Sequence, residues 1–196
     1  MNQFLSKLSP SITNMIRMDH THVLATFHQY EVDTPPKTKQ ALAKTVCLAL
    51  EIHAQLEEEI FYPAMREAQS DNAVLDKSVP EHDEMRTLIA RLRTLDPTDP
   101  EHDRVFMSLM RAVMHHVADE ETTLLPQAEL GLADRLGELG ARMTKRRLEL
   151  TAPHAGEIAS NTVRTMPASS MALAAGALLM GGYMLKQTFR HRRHMG

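Results

Sequence analysis

One pattern occurs twice in this chain and limits what it can fold into. In each copy a His is followed by Glu at the fourth and fifth positions and by Pro at the tenth: His53, Glu57, Glu58 and Pro63 in the first copy, and His116, Glu120, Glu121 and Pro126 in the second. Residues four apart lie on one face of a helix, one turn apart. Each copy therefore directs an imidazole and a carboxylate toward the same point.

Each copy is preceded by a further His that follows an acidic residue. His20 lies 33 residues before His53, and His82 lies 34 residues before His116. The repeating unit is therefore a helix with one His, a loop, and a helix with His and Glu. Two such units supply four imidazoles and two carboxylates, which predicts a two-metal site inside a four-helix bundle.

Apolar residues recur with helical spacing in four segments, at about 10–30, 37–69, 79–95 and 100–131. No segment alternates apolar and polar residues as a half-buried strand does, so the predicted fold class is all-α. A kink or break is expected after Phe61 and Tyr62, because Pro63 cannot continue a regular helix. The predicted organisation is a four-helix bundle domain in 1–130, an additional helix in 131–150, a linker in 151–166 and an apolar helix with a basic end in 167–196.

Charge divides the chain into an acidic body and a basic tail. Residues 1–163 hold 17 Lys and Arg against all 25 Asp and Glu, a balance of −8, whereas residues 164–196 hold five basic residues and no acid. Nucleic-acid-binding domains are basic on at least one face, so no nucleic-acid partner is expected. The single cysteine, Cys47, excludes an intramolecular disulfide and fits a reducing compartment.

The tail contains a long uncharged segment. Residues 167–185 carry no charge and are largely apolar or small, which is close to the minimum length for one membrane-spanning helix. Basic residues follow from Lys186 to His194 and suit lipid headgroups. The sequence predicts a cytoplasmic domain tethered to the inner membrane through residues 167–185. The alternative is an apolar helix that packs on the bundle or pairs with a second copy of the chain.

Imidazole and carboxylate are the groups with which helix bundles bind iron, manganese and zinc. The predicted metal ligands are His20, His53, Glu57, His82, His116 and Glu120. A carboxylate has two oxygens, so the two Glu are predicted to bridge the metals, while one pair of imidazoles completes each end. Each metal is then short of six ligands, which leaves room for water, hydroxide or a gas molecule.

Other assignments remain open at this point. A single His on an apolar face is more often a hydrogen-bonded core residue than a ligand, but burying six such groups without partners costs roughly several kcal/mol each. A slightly unwound fourth helix would allow His115 or Glu121 to replace a predicted ligand. The remaining His residues, His102 among them, are expected at the surface. Four acidic residues are expected in solvent or beside an imidazole as hydrogen-bond acceptors: Asp19, Glu58, Glu81 and Glu121.

The chain resembles the hemerythrin-like proteins, also called HHE cation-binding domains, over roughly residues 12–130. The resemblance rests on Asp19-His20, His53 to Glu58 with Tyr62-Pro63, Glu81-His82, and His116 to Glu121 with Leu125-Pro126. It implies an up-down-up-down four-helix bundle that holds two iron ions, bridged by carboxylates and by an oxo or hydroxo group. The oxygen-carrying members have a fifth His one turn before the third-helix ligand, where this chain has Ser78. This difference disfavours reversible oxygen carriage and favours a site open to peroxide, nitric oxide or water.

Two functions are expected of such a centre. One is a binding protein that takes up O2, NO or a related small oxidant for sensing, storage or stress response. The other is an enzyme that acts on peroxide, nitric oxide or ferrous iron, for which Glu58, Glu121 and Tyr62 are the candidate general acids. A third interpretation is a membrane-associated bundle whose metal only stabilises the fold.

Overall fold

The computed structural model describes residues 9–69 and 72–165, and every regular element in these ranges is helical. The prediction of an all-α protein is therefore confirmed. The helices are α1 (Ile12–Phe27), α2 (Pro36–Leu56), α3 (Tyr62–Ala68), α4 (Ala73–Leu92), α5 (Pro100–Asp119), α6 (Leu125–Gly131), α7 (Leu136–Thr151) and α8 (Ala155–Thr165). Two π-helical turns, Glu57–Phe61 and Glu120–Leu124, join α2 to α3 and α5 to α6.

The π-helical turns make α2–α3 and α5–α6 continuous, so the bundle has four long segments. Helix α1 packs on α2, α4 packs on α5, and α2 also contacts α4. Short loops join consecutive segments, as is typical of antiparallel neighbours in helix bundles. The last two helices cover one side of this bundle, since α7 packs on α1 and α2 while α8 packs on α2.

The irregularity predicted near Pro63 is the first π-helical turn. The N–H of Tyr62 donates to the carbonyl oxygen of Glu57, five residues earlier, and the N–H of Leu125 donates in the same way to Glu120. In a regular helix a proline ring clashes with the carbonyl group four residues before it, and a π-helical turn changes that register. The change also places the side chain of Tyr62 on the same face as that of Glu57.

Helix α4 begins earlier than the sequence predicts. The expected start is near Val79 with Pro80 in the first turn, whereas α4 begins at Ala73 and contains Pro80 in its interior. The side chain of Asn72 explains the difference, because its oxygen accepts hydrogen bonds from the N–H groups two and three residues later. Such a cap satisfies donors that a helix start otherwise leaves without partners.

Two apolar clusters fill the bundle and a polar layer lies between them. One cluster contains Ile16 and Phe61, and the other contains Val23 and Phe106. Helix α1 contributes side chains to both clusters, and His20 lies between these two sets of side chains. The other three segments also contribute side chains to both clusters, and their predicted ligands lie between the two sets. The polar layer is therefore enclosed by apolar side chains on both sides, which strengthens electrostatic interactions within it.

Helix α7 corresponds to the additional helix predicted in 131–150. Gly140 permits it to approach the start of α1, because a Cβ atom at Gly140 would lie 2.1 Å from the carbonyl oxygen of Pro10. Residues 151–166, predicted to form a linker, are instead helical over their described part, with a 3₁₀ turn at Ala152–His154 followed by α8. Packing of α8 on α2 accounts for this difference.

The apolar segment 167–185 lies outside the described residues, so its role as a membrane anchor stays a prediction. Within the part of the chain that the structure describes, no helix is long and apolar enough to cross a membrane.

Candidate metal centre

The structure brings all six predicted ligands together in the polar layer. Their side chains are buried, and the two carboxylates, Glu57 and Glu120, are 0% exposed. The ligand atoms form two groups, within each of which they lie no more than 4.8 Å apart. The first group is His20, His53, Glu57 and Glu120, and the second is Glu57, His82 and His116. Glu57 belongs to both groups, which is the arrangement expected of a carboxylate between two cations.

Glu57 lies at the centre of the cluster. Its Oε2 atom is 3.2 Å from His53 Nε2, 3.4 Å from His82 Nε2 and 3.8 Å from His116 Nε2. On the other carboxylate, Glu120 Oε2 is 3.6 Å from His116 Nε2. Imidazoles from three different helical segments therefore point the same ring nitrogen at one carboxylate oxygen.

Several inward-pointing atoms of the cluster have no hydrogen-bond partner. Within the described residues these are His20 Nε2, His53 Nε2, Glu57 Oε1 and Glu120 Oε2. His20 Nε2 lies 3.3 Å from Glu120 Oε2, but the geometry does not make a hydrogen bond. A buried polar atom without a partner costs roughly 1–3 kcal/mol. Nitrogen and oxygen lone pairs directed at a common point fit a metal cation, which would satisfy all four atoms at once.

The electrostatics of the cluster also favour a bound cation. Burial lowers the pKa of His116, but the Glu120 and Glu57 carboxylates outweigh it and raise that pKa to about 10. The pKa of His20 is raised in the same way, against the effect of burial, by Glu120 and Glu57. Burial raises the pKa of Glu57, yet the charge of His53 and the proximity of the His116 and His82 imidazoles hold it well below its ordinary value. The two buried carboxylates thus stabilise positive charge between them, whether on protons or on a metal.

Each of the four imidazoles meets a carboxylate at its other ring nitrogen. The distances from Nδ1 are 2.8 Å from His20 to Glu121, 2.8 Å from His82 to Glu58, 2.9 Å from His116 to Glu81, and 3.4 Å from His53 to Asp19. A carboxylate at Nδ1 holds the proton there, so the Nε2 lone pair remains free to bind metal. The sequence leaves open whether these four acids lie in solvent or beside an imidazole, and the structure places all four beside imidazoles.

Every one of these carboxylates is in turn paired with a cation. The pairs are Glu121 with Arg17, Glu58 with Arg86, Glu81 with Lys77, and Asp19 with Arg147. Sequence reasoning did not identify these four cations. Helical spacing indicates one of them, since Lys77 precedes Glu81 by four residues, but Arg147 is 128 positions from its partner and has no local signal.

The alternative ligands lie outside the cluster. His115 is exposed, while His116 beside it is buried at the centre. Glu121 contacts the outer nitrogen of His20 and Arg17, and therefore does not face the inward nitrogen atoms. The geometry thus favours His116 and Glu120 over His115 and Glu121 as the ligand pair of α5.

Tyr62 places a phenol in the cluster. Its hydroxyl lies 3.1 Å from Glu57 Oε2, 3.0 Å from Glu120 Oε1 and 3.3 Å from His82 Nε2. Burial and the two carboxylates raise the pKa of Tyr62 well above its ordinary value, so the phenol keeps its proton. Ser78 is buried nearby, and its hydroxyl donates to the carbonyl oxygen of Val74 in its own helix.

One histidine differs from the prediction. His102 is expected at the surface but is 2% exposed, because its Nδ1 forms a 2.8 Å hydrogen bond with the hydroxyl of Tyr30 at the far end of the bundle. Burial lowers the pKa of His102. This residue therefore belongs to a separate polar cluster in the core.

A known protein family matches the part of the chain that contains these six side chains. The family model described as the Hemerythrin HHE cation binding domain matches residues 11–128. A DNA nickase from Nostoc sp. is 30% identical over 118 residues, which cover 60% of this chain and 33% of that protein. The chain thus spans about a third of the length of the curated relative it matches.

A solved structure is similar in fold. It is the crystal structure of a hemerythrin HHE cation-binding domain-containing protein from Mycobacterium kansasii, with a TM-score of 0.59 and 20% identity, covering 80% of this chain and 99% of that one. The family match spans the bundle and all six clustered side chains. The clustered His and Glu side chains fit a metal site, and the chain belongs to the hemerythrin HHE cation-binding domain family.

Proposed function

We propose that this protein holds two iron ions in the polar layer and binds a small oxidant there, such as O2, nitric oxide or peroxide. The observation that carries the proposal is the convergence of four imidazole nitrogens and two carboxylates, four of whose buried atoms have no other partner in the described residues. The two ligand groups, which share Glu57, support two cations rather than one.

The side-chain types support iron in particular. Four imidazoles and two carboxylates suit iron, whereas a structural zinc site is closed by four ligands and includes thiolates in most cases. When bound, iron supplies reversible redox chemistry and open positions for a small ligand. Carboxylates at Nδ1 make the imidazoles more basic and fix their orientation.

Two residues support small-molecule binding beside the ligands. Ser78 is small, and it stands where oxygen-carrying members of the family have a further His, so it leaves one coordination position unfilled by protein. Tyr62 presents an O–H group within 3.3 Å of three predicted ligands, where it can donate a hydrogen bond to a bound oxidant.

Optical titration tests this binding function. The iron-loaded full chain is prepared without oxygen. One sample is then exposed to nitric oxide and another to O2, and the absorption spectrum of each is followed. We expect saturable spectral changes that are lost in His53→Ala and kept in His22→Ala, because His22 is an exposed residue of the same helix as His20. Equal spectra with and without either gas would contradict the proposal.

The position of Tyr62 favours a second candidate function, the enzymatic disproportionation of peroxide. In this reaction two H2O2 give two H2O and one O2, so protons must move between the two peroxide molecules. The buried phenol of Tyr62 lies within hydrogen-bond distance of both Glu57 and Glu120, and this position suits it to relay a proton. Oxygen release after addition of H2O2 measures this activity, and its absence in the iron-loaded chain would leave binding as the function.

The nickase activity of the Nostoc relative is not part of this proposal. The match covers 33% of that protein, and the body of this chain carries 25 acidic against 17 basic residues in 1–163. Such a balance does not favour binding to a phosphate backbone.

A further inference from the structure

Each imidazole of the cluster has a carboxylate at Nδ1, and each of these carboxylates is paired with a cation. The cation paired with Asp19, beside His53, comes from a different part of the fold than the other three cations. Arg17, Lys77 and Arg86 lie within residues 11–128, the range of the family match, and support the carboxylates beside the remaining imidazoles. Arg147 lies on α7, beyond that range, and pairs with Asp19. One of the four supports of the metal centre is therefore supplied from outside the matched domain.

The first half of the bundle does not supply its own cation at the corresponding position. In the second half, Lys77 stands four residues before Glu81 and contacts it at 3.7 Å. Four residues before Asp19 the chain has Met15, a buried side chain whose sulfur accepts a hydrogen bond from Thr144 of α7. The position that holds a cation, Lys77, in the second half thus holds Met15, which contacts α7, in the first.

Helix α7 places Arg147 directly on Asp19. Both terminal nitrogens of the guanidinium donate to the two carboxylate oxygens, so the contact is bidentate. The oxygen that receives one of these bonds, Oδ2, is also the oxygen 3.4 Å from His53 Nδ1. A bidentate pair fixes the carboxylate plane as well as its position.

We propose that Arg147 is a positioning residue of the metal centre, which holds Asp19 against Nδ1 of His53 and thereby directs Nε2 of His53 at the metal. The inference rests on the proposed metal binding. Without the guanidinium, Asp19 is free to turn into the adjacent space and His53 loses the acceptor that fixes its tautomer. Loss of such a support weakens metal binding by about 10- to 100-fold.

A cavity beside this pair makes the role testable by chemical rescue. It has a volume of about 330 Å³, lies between α1, α2, α7 and α8, and is lined by Asp19, His53, Arg147 and apolar side chains such as Val23 and Ile52. Truncation of Arg147 to Ala enlarges this space next to Asp19. A guanidinium ion is small enough to enter it and to replace the missing group.

The neighbouring residue provides a matched control. Arg146 stands on the same helix and makes a comparable bidentate contact, but with Glu59, through distances of 2.7 and 3.0 Å. Glu59 contacts Gln55 and Arg146 and none of the predicted ligands. Arg146→Ala therefore removes an arginine pair from α7 without touching the centre.

The experiment compares the iron-loaded full chain with Arg147→Ala and Arg146→Ala. Release of iron to an excess of chelator is followed at neutral pH, with and without guanidinium at tens of millimolar, together with the thermal unfolding of the metal-free proteins. We expect Arg147→Ala to release one of its two metals 10- to 100-fold faster, guanidinium to restore retention, and Arg146→Ala to behave as the parent chain.

Other outcomes separate this inference from the function proposed above. Iron retention in Arg147→Ala equal to that in Arg146→Ala would overturn it while leaving the metal centre intact. Faster release that guanidinium does not slow, with a matching loss of thermal stability in the metal-free protein, would assign Arg147 to packing of α7 and also overturn it. A parent chain that binds no iron would instead refute the proposed function.

Discussion

The two halves of the bundle carry the same predicted ligands but differ in what surrounds them. In both, the acid before the first His supports the second His of the same half, as Asp19 does for His53 and Glu81 for His116. In both, the acid after the buried Glu supports the first His of the other half: Glu58 supports His82, and Glu121 supports His20. The repeat therefore includes the hydrogen-bonded carboxylates as well as the ligands.

The symmetry is broken at the residue after the π-helical turn and at the cation beside the acid. The residue that follows the π-helical turn is Tyr62 in the first half and Leu125 in the second, so one half presents a hydroxyl to the cluster and the other an apolar side chain. The cation beside the acid is Arg147 from α7 in the first half and Lys77 of the same helix in the second. The repeat thus sets the geometry of the predicted ligands, while residues that do not repeat make the two ends chemically different.

The largest expected effect tests whether the two halves share one centre. Glu57 belongs to both ligand groups, so Glu57→Ala should remove nearly all bound metal, whereas Glu120→Ala should retain part of it. Metal analysis of the purified chains measures this, with circular dichroism to verify folding. His22→Ala, which changes an exposed residue of α1, is the control. Full metal content in Glu57→Ala would show that the halves do not meet at this carboxylate.

The next prediction concerns the position at which the halves differ most. Tyr62→Phe should lower peroxide disproportionation by about 100-fold, the lower range for loss of an acid or base, and leave the metal content unchanged. The matched change in the second half, Leu125→Met, should leave the rate as it is, since Leu125 presents no proton. An equal loss of rate in both variants would remove the chemical distinction between the two ends.

Metal removal should affect the two halves alike. At a metal concentration 100 times the dissociation constant, each bound metal adds about 2.7 kcal/mol to the free energy of unfolding, which corresponds to a rise in melting temperature of roughly 5–10 °C per metal. Amide hydrogen exchange with and without metal locates the effect. Protection lost in α1 and α2 alone, or in α4 and α5 alone, would indicate a metal bound by one half only.

The smallest effects on stability are expected at the N-cap residues of the first helix of each half. Asn72 caps α4 through two N–H groups and is 6% exposed, whereas Ser11 caps α1 through one 3.3 Å bond. Asn72→Ala should cost about 1–2 kcal/mol of stability and Ser11→Ala about 0.5 kcal/mol. Denaturant unfolding measures both, and a larger loss for Ser11→Ala would reverse the assignment of the stronger cap.

Local patterns in the sequence predict much of the fold and the ligand cluster. Helical spacing places His53 and Glu57 on one face, and the two copies of the pattern bring four His together because the segments are joined by short loops. Contacts between distant segments are not predictable in this way. The pairing of Arg147 with Asp19 depends on how α7 packs against α1, and the burial of His102 depends on Tyr30, 72 residues away. The early start of α4 follows from the cap that Asn72 provides, whereas Pro80 in the sequence favours a later start.

The central claim is that the two halves together hold two iron ions. The most direct measurement is metal analysis of the full chain purified aerobically, combined with its absorption spectrum. We expect two irons per chain and the absorption bands of a coupled diferric centre. Stoichiometric zinc without such bands, or an iron content far below one per chain after reconstitution with ferrous iron, would contradict it.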